Sequence, residues 1–195
     1  MGEKSEQKKQ HIIEAARNVF IEKGYRSVTM KDIVDACEIS RGGLYLYFSS
    51  TEEIFKEVLK YEAEEDDDVF SAHITEEATA TDILTLFFKE QKKELLRKKD
   101  DLSIATFEFF FAEDIPKKEN ILKQKFDAGR LIIQKLIEAG MENGEFYDVD
   151  AKAVASNIMF VIEGLRIVSK TVGLTEGMID NEFNHVLQEL CVEVQ

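Results

Sequence analysis

An all-α fold is predicted from three features of the 195-residue chain: a single proline, apolar residues at three- and four-residue spacing along most of its length, and repeated Ser/Thr-x-x-Asp/Glu capping boxes. About nine helices account for the pattern, and no segment shows convincing strand alternation. The length and the 44% apolar content allow a real core in one or two domains.

The first helix is expected from about Ser5 to Lys23, with Ile12, Ala16, Val19 and Phe20 on one stripe and Gly24 suited to its C-terminal cap. Thr29 and Asp32 form a capping box that opens a second helix, and Val28 with Ile33 has the spacing of a hydrophobic staple. Ser40 is a good N-cap for a third helix, where Ile39 and Leu44 repeat the staple. Glu38 falls in the tight turn between these two helices. Ser50 with Glu53 opens a fourth helix through Ile54, Phe55, Val58 and Leu59 towards Phe70. The acidic run from Glu64 to Asp68 has ligand types that suit Mg²⁺ or Ca²⁺, but such runs are more commonly hydrated faces.

A long helix is expected beyond Thr81, carrying Ile83, Leu84, Leu86, Phe87, Phe88, Leu95 and Leu96 to a basic end near Lys99, where cations complement the helix dipole. Asp101 caps a shorter helix with Phe107, Phe109, Phe110 and Phe111. Pro116 starts the next, which runs through Phe126, Leu131, Ile132, Leu136 and Ile137 until Gly140 and Gly144. Asp150 opens a helix to about Val172, and Thr175 opens the last, with Ile179, Phe183, Val186, Leu187 and Leu190.

The chemistry concentrates between residues 28 and 48. Leu44 and Phe48 are four apart and share a face, whereas Arg41, Gly42, Tyr45 and Tyr47 lie away from it. Gly42 and Gly43 each cost about 1 kcal/mol of helix propensity relative to Ala, which suggests close approach of backbone to something outside. N–H groups at a helix start attract phosphate, and Arg41 can pair bidentately with guanine or bond a phosphate. Net charge is −14, yet the first fifty residues carry eight Lys/Arg against seven Asp/Glu and the remainder 17 against 32. Lys4, Lys8, Lys9, Arg26, Lys31 and Arg41 are the basic groups available to one face.

Thr29 to Phe48, with Ile33-Val34-Asp35, Ile39-Ser40-Arg41-Gly42 and Leu44-Tyr45-Leu46-Tyr47-Phe48, resembles the DNA-binding domain of the TetR family. Ile12 to Gly24 is similar to that family's first helix and Ser49 to Phe55 to the start of its fourth; the rest of the chain matches in helical plan only. The resemblance implies an N-terminal three-helix helix-turn-helix domain over residues 1–50 and a larger helical ligand-binding and dimerisation domain over 51–195. It further implies a homodimer on a double-stranded DNA operator, acting as a repressor that a small lipophilic effector releases. On this reading Thr29, Lys31, Arg41, Gly42, Gly43, Tyr45, Tyr47, Ser50 and Thr51 face DNA. Four positions depart from the family pattern: Glu38 stands where Gly is common, Gly43 where Thr is frequent, Leu46 where His is frequent, and Thr51 where a Lys often opens the fourth helix.

The helix from Asp150 is apolar nearly all round. The family's last two helices pair with their mates in a second subunit, which marks Val154, Ile158, Val161, Leu165, Phe183, Val186 and Leu190 for dimerisation; a helix buried within one chain has the same signature. Phe87, Phe107, Glu108, Phe110, Phe111, Met159 and Glu163 are the candidate effector contacts, because small-molecule sites are mostly apolar with few polar anchors. Glu108 among rings would suit a cationic lipophilic ligand. The bland alternative is that the phenylalanines fill the core and Glu108 faces water.

Other classes find little support. His11, His73 and His185 show no metal-ligand spacing, and no phosphate loop, nucleophile elbow or paired-carboxylate signature stands out, so no catalytic residue, metal or cofactor is expected. Cys37 and Cys191 form no CxxC pair and fit free thiols in a reducing cytoplasm. No apolar leader opens the chain, and Glu6 stands where a myristoylation motif needs Ser or Thr. The most apolar stretch, 153–168, is broken by Ser156, Asn157, Glu163 and Arg166, so no membrane span is expected. A helical carrier or protein-interaction module with a structural N-terminal unit remains the alternative function.

Overall fold

The computed structural model describes residues 3–65, 78–97 and 101–192. Phe70, His73, Lys99 and the side chains of the acidic run 64–68 lie outside the described residues. Nine α-helices occur among those described: α1 Glu3–Lys23, α2 Met30–Cys37, α3 Arg41–Tyr45, α4 Thr51–Glu65, α5 Ala80–Leu96, α6 Ser103–Ala112, α7 Ile121–Glu142, α8 Ala151–Thr171 and α9 Glu176–Leu190. The one β feature among them is an isolated antiparallel bridge between Phe146 and Cys191.

Most helix starts follow from local caps. The side chains of Thr29, Ser40, Asp150 and Thr175 each accept a backbone N–H from the first turn that follows. Two starts differ from expectation. α5 opens at Thr79, whose reciprocal capping box with Asp82 lies just before the expected Thr81. α7 is capped by Asn120 rather than begun by Pro116, whose carbonyl accepts the Glu119 N–H in a separate turn. Asp101 does hold the first turn of α6, accepting the Ser103 N–H at 2.9 Å, although it lies one residue before the cap position.

The chain divides into two compact units, Met1–Val69 with Lys99–Glu119, and Phe70–Lys98 with Asn120–Gln195. The sequence expectation placed a boundary at residue 50; packing instead groups α4 and α6 with α1–α3. Phe20, Tyr25, Phe55 and Phe109 explain the grouping. Their rings come from α1, the turn after it, α4 and α6, with centroids 4.6 Å apart for Phe20 and Phe55, 5.1 Å for Tyr25 and Phe55, and 4.9 Å for Tyr25 and Phe109. Aromatic pairs at such spacing gain edge-to-face attraction beyond simple burial.

In the second unit α5, α7, α8 and α9 enclose Leu84, Phe88, Ile137, Ala155, Ile158, Ile162, Ile179 and Phe183. Phe88 stacks on Phe183 at 4.5 Å. Phe146 closes the turn after α7 by lying on Gly140, where a Cβ would come within 2.2 Å of the ring. The Glu145 carboxylate accepts the N–H groups of Ala80 and Thr81 and the Thr81 hydroxyl, and so caps α5 from 64 residues away. Cys37 and Cys191 are free, and burial pushes both thiols above their ordinary pKa. No described helix is long and apolar enough to cross a membrane.

Candidate nucleic-acid interface and effector helix

Helix α2 is capped at both ends. Thr29 donates its hydroxyl to Asp32 Oδ2 at 2.6 Å and accepts the Asp32 N–H in return. Lys23 adds a 2.6 Å ion pair to Asp32, tying the end of α1 to the start of α2. The Lys23 ammonium and then the Thr29 donors hold the Asp32 carboxyl well below the usual carboxylate range. At the other end Glu38 takes the left-handed conformation, φ 54° and ψ 34°, where a glycine would be unstrained.

Ser40 Oγ accepts the Gly43 N–H at 3.1 Å. Leu44 and Phe48 are buried, while Arg41, Gly42 and Tyr45 are exposed, so α3 turns the expected face outward. The Arg41 guanidinium lies 5.6 Å from the Tyr45 ring centroid, which orders both on one surface. Tyr47 is half-buried and Lys31 exposed. The two glycines differ: a Cβ at Gly43 would meet Ser40 Oγ at 3.2 Å, whereas one at Gly42 would meet nothing within 4 Å. Gly43 thus has an internal reason to be small and Gly42 has none.

At the start of α4, Ser50 Oγ accepts the Glu53 N–H at 3.1 Å. Glu53 reaches back to Ser49 rather than Ser50, taking its N–H at 2.7 Å and its hydroxyl at 2.8 Å. Thr51 follows as the first, half-buried residue of α4. Of the basic set, Lys9 is turned away to Glu57 at 2.5 Å.

The expected effector residues are divided between the units: Phe107, Glu108, Phe110 and Phe111 lie on α6, whereas Phe87 lies on α5 and Met159 and Glu163 on α8. On α6, Ala105 and Phe109 are buried. Glu108, three residues after Ala105, sits at the edge of that side, and its Oε2 accepts the Arg26 N–H at 3.0 Å. It also fills the space beside Gly24, φ +73°, where a Cβ would come within 2.6 Å of Oε2. Tyr25 donates to Glu113 Oε1 at 2.8 Å; burial, reinforced by Glu113, pushes its phenol far above the ordinary value. Phe107 and Phe111 stack on each other, 6.5 Å between centroids, with Phe111 78% exposed and Ile104 also exposed; these two stand three and four residues from Glu108, which therefore borders the exposed surface. The Glu108 carboxylate is thus engaged by the α1–α2 turn, although Phe111 is its neighbour along α6. In the second unit Met159 is buried against Gly129, Glu163 pairs with Arg166 at 2.7 Å, and Phe87 is half-buried beside Phe88.

The seven residues expected to meet a partner subunit pack into their own unit. Ile158, Leu165, Phe183, Val186 and Leu190 are buried there, and Val154 and Val161 are half-buried against them. α8 is apolar all round, so its sequence does not say which side the chain itself covers. The side left outside carries Phe160, 65% exposed, and Ile167. Sequence reasoning set Phe160 off the apolar stripe but named neither residue for dimerisation, and it missed the Glu113–Tyr25 and Glu108–Arg26 bonds, which join residues more than 80 positions apart with no local pattern to announce them. Among the described residues no group of three or more His, Cys, Asp or Glu is placed to hold a metal.

Comparison with known proteins agrees with this layout. Residues 12–58 match the family described as bacterial regulatory proteins, tetR family, and residues 83–184 match the tetracyclin repressor-like C-terminal domain. An uncharacterized HTH-type transcriptional regulator, YfiR of Bacillus subtilis, is 30% identical over 77% of this chain and 74% of its own length. The HTH-type transcriptional regulator QacR of Staphylococcus aureus is 25% identical over 91% of this chain and 95% of its own. Among solved structures, a transcriptional regulator from Saccharomonospora viridis in complex with choline has a TM-score of 0.81 at 20% identity, covering 96% of this chain and all of its own; at that identity the likeness speaks to the fold. With both domain matches and a relative of this coverage in hand, the chain belongs to the TetR family and is a ligand-responsive, DNA-binding transcriptional regulator.

Proposed function

We propose that this regulator is a cytoplasmic repressor that binds its operator as a homodimer and leaves it when a small lipophilic effector engages α6. The observation that carries the reading is that α6 joins an exposed apolar surface to the α1–α2 turn. Ile104, Phe107 and Phe111 offer an apolar surface to an effector, while Glu108 beside them grips the α1–α2 turn and Phe109 enters the aromatic cluster. An effector that favours a shifted α6 draws the α1–α2 turn with it and re-aims α3, so its differential affinity for the two states becomes lost operator affinity.

Arg41 and Tyr45 read bases in this proposal, with Thr29, Lys31, Gly42, Gly43, Tyr47, Ser50 and Thr51 positioned on phosphates. A twofold dimer supplies the second half-site, since one motif reads few bases. Self-association is supported by Phe160, Gly164 and Ile167, which repeat at helical spacing on the uncovered side of α8; a Cβ at Gly164 would meet nothing within 4 Å.

The test is binding to the DNA upstream of the protein's own gene, beside a scrambled duplex. Arg41→Ala and Tyr45→Ala should each weaken specific binding by about 1–3 kcal/mol, and unchanged affinity in both would overturn the DNA-reading assignment. Phe111→Ala should blunt release by an effector while leaving effector-free operator affinity unchanged. The choline complex of the S. viridis protein makes quaternary ammonium compounds sensible first probes.

A further inference from the structure

We infer that the opening turns of α1, ahead of the segment that matches the family, carry a second DNA contact in which Lys4 and Lys8 grip the sugar-phosphate backbone beside the site read by α3. The inference rests on the DNA-reading proposal above and extends it to residues 3–11, outside the 12–58 match.

α1 is helical from Glu3, yet its first buried side chain is Ile12. The opening turns therefore fold as helix without filling the core. Lys4, Lys8 and His11 follow one another at positions i, i+4 and i+7 and so share a face. His11 fixes where that face lies: its Nε2 is 3.4 Å from the Cys37 carbonyl oxygen, at the end of α2 and next to the turn into α3. Lys9, on the neighbouring face, sits 5.9 Å from the centroid of Phe48, just after α3. The start of α1 thus runs past the α2–α3 turn, and Lys4 stands about 10 Å beyond His11 at 1.5 Å per residue.

Charge pairing sorts the cations of this unit into two groups. Lys9, Arg17, Lys23, Lys56 and Lys60 each have a carboxylate within 2.7 Å. Lys4 and Lys8 are exposed, with no acidic partner among the described residues, as are Lys31 and Arg41 of the reading motif and, elsewhere in the unit, Arg26 and Lys117. Lys4 and Lys8 also have no acid three or four positions away; each instead has the other, a like-charge pair that weakens a helix on its own. In a chain of net charge −14, two such lysines held beside the reading motif suit a polyanion that lies along it.

The test compares the salt dependence of operator binding for the full-length protein and its Lys4→Ala/Lys8→Ala double variant, with retained helicity checked by circular dichroism. Alanine is the best helix former, so α1 should persist. The expected result is a log K against log salt slope shallower by about two per half-site, with affinity lowered alike on operator and scrambled DNA. Lys89→Ala/Lys152→Ala, which removes the same charge from exposed sites on α5 and α8, should leave the slope unchanged. An unaltered slope in the first variant, or an equal change in the control, overturns the inference while the operator reading stands. Wild-type protein with no preference for operator defeats the operator reading itself.

Discussion

Gly140 in the second unit and Gly42 in the first are both helical glycines, but the reasons for them point in opposite directions. A Cβ at Gly140 would drive into the Phe146 ring at 2.2 Å, while one at Gly42 would touch nothing. The contrast extends to carboxylates that bridge separate elements. Glu145 takes three hydrogen bonds from Ala80 and Thr81, and the chain beyond it is tied by the Tyr147 N–H to the Leu190 carbonyl and the Val192 N–H to the Glu145 carbonyl. Glu108 takes a backbone bond from Arg26. In the second unit the residue choices are answered by packing within the chain. In the first, α6 is held to the α1–α2 turn by the Glu108 and Glu113 bonds and the Tyr25–Phe109 ring contact, and Gly42 has no internal reason to be small. Such a unit suits a part that moves and meets something outside itself.

The largest expected effect falls where internal packing is tightest. Phe146→Ala removes a ring that is 3% exposed and should cost about 3–5 kcal/mol in urea unfolding. A loss under about 1 kcal/mol would mean that the turn collapses onto Gly140, and the second unit would be more adaptable than the contrast requires. Gly24→Ala probes the joint in the first unit. Its φ of +73° costs an alanine about 1–2 kcal/mol, and the added Cβ also meets Glu108. Placing the same change in a Glu108→Ala background should return the second part of the penalty and leave the first. Equal losses in both backgrounds would show that Glu108 does not hold the turn.

How far the sequence discloses each unit follows from how local its signals are. The α2 start was legible because Thr29 and Asp32 lie three residues apart and complete the box themselves. Ser40, Asp150 and Thr175 are equally self-contained. α7 was misplaced because Pro116 suits a helix start and a turn alike, and the choice depends on Asn120 being better placed to cap. The outward side of α3 could be read from Leu44 and Phe48, since the other residues have no apolar partner. α8 gave no such direction: with apolar groups all round, only the contacts with α5, α7 and α9 decide that Ile158 and Leu165 face inward and Phe160 outward. The pairing of Glu108 with the α1–α2 turn had no local signal either, which is why a carboxylate among phenylalanines suggested a ligand anchor before its partner was known.

Glu145 offers a smaller and pH-dependent test of the second unit. Burial alone would raise its pKa, but the Thr81 and Ala80 N–H groups with the Thr81 hydroxyl outweigh burial and hold it below the ordinary value. A folded pKa below the unfolded one means that the folded state binds fewer protons in that interval. The stabilisation is therefore complete above the ordinary carboxylate range and disappears as pH falls through the lower folded value. Glu145→Gln should cost about 1 kcal/mol at neutral pH, since the amide still accepts bonds without charge, and should flatten the acid limb of stability against pH. An acid limb parallel to wild type would mean that Glu145 carries little of it.

Gly42→Ala should have the smallest effect on folding and the clearest meaning. With open space around the added Cβ, the substitution gains helix propensity, less than about 1 kcal/mol in so short a helix. Stability should therefore stay level or rise slightly in thermal unfolding. Operator affinity should fall nonetheless, because the methyl group would stand where the exposed backbone at the start of α3 approaches a phosphate. Loss of binding from a variant at least as stable as wild type cannot come from damage to the fold, so it would locate the reason for this glycine on the DNA. Unchanged binding would remove Gly42 from the interface and leave Arg41 and Tyr45 to carry the reading of bases without close backbone approach.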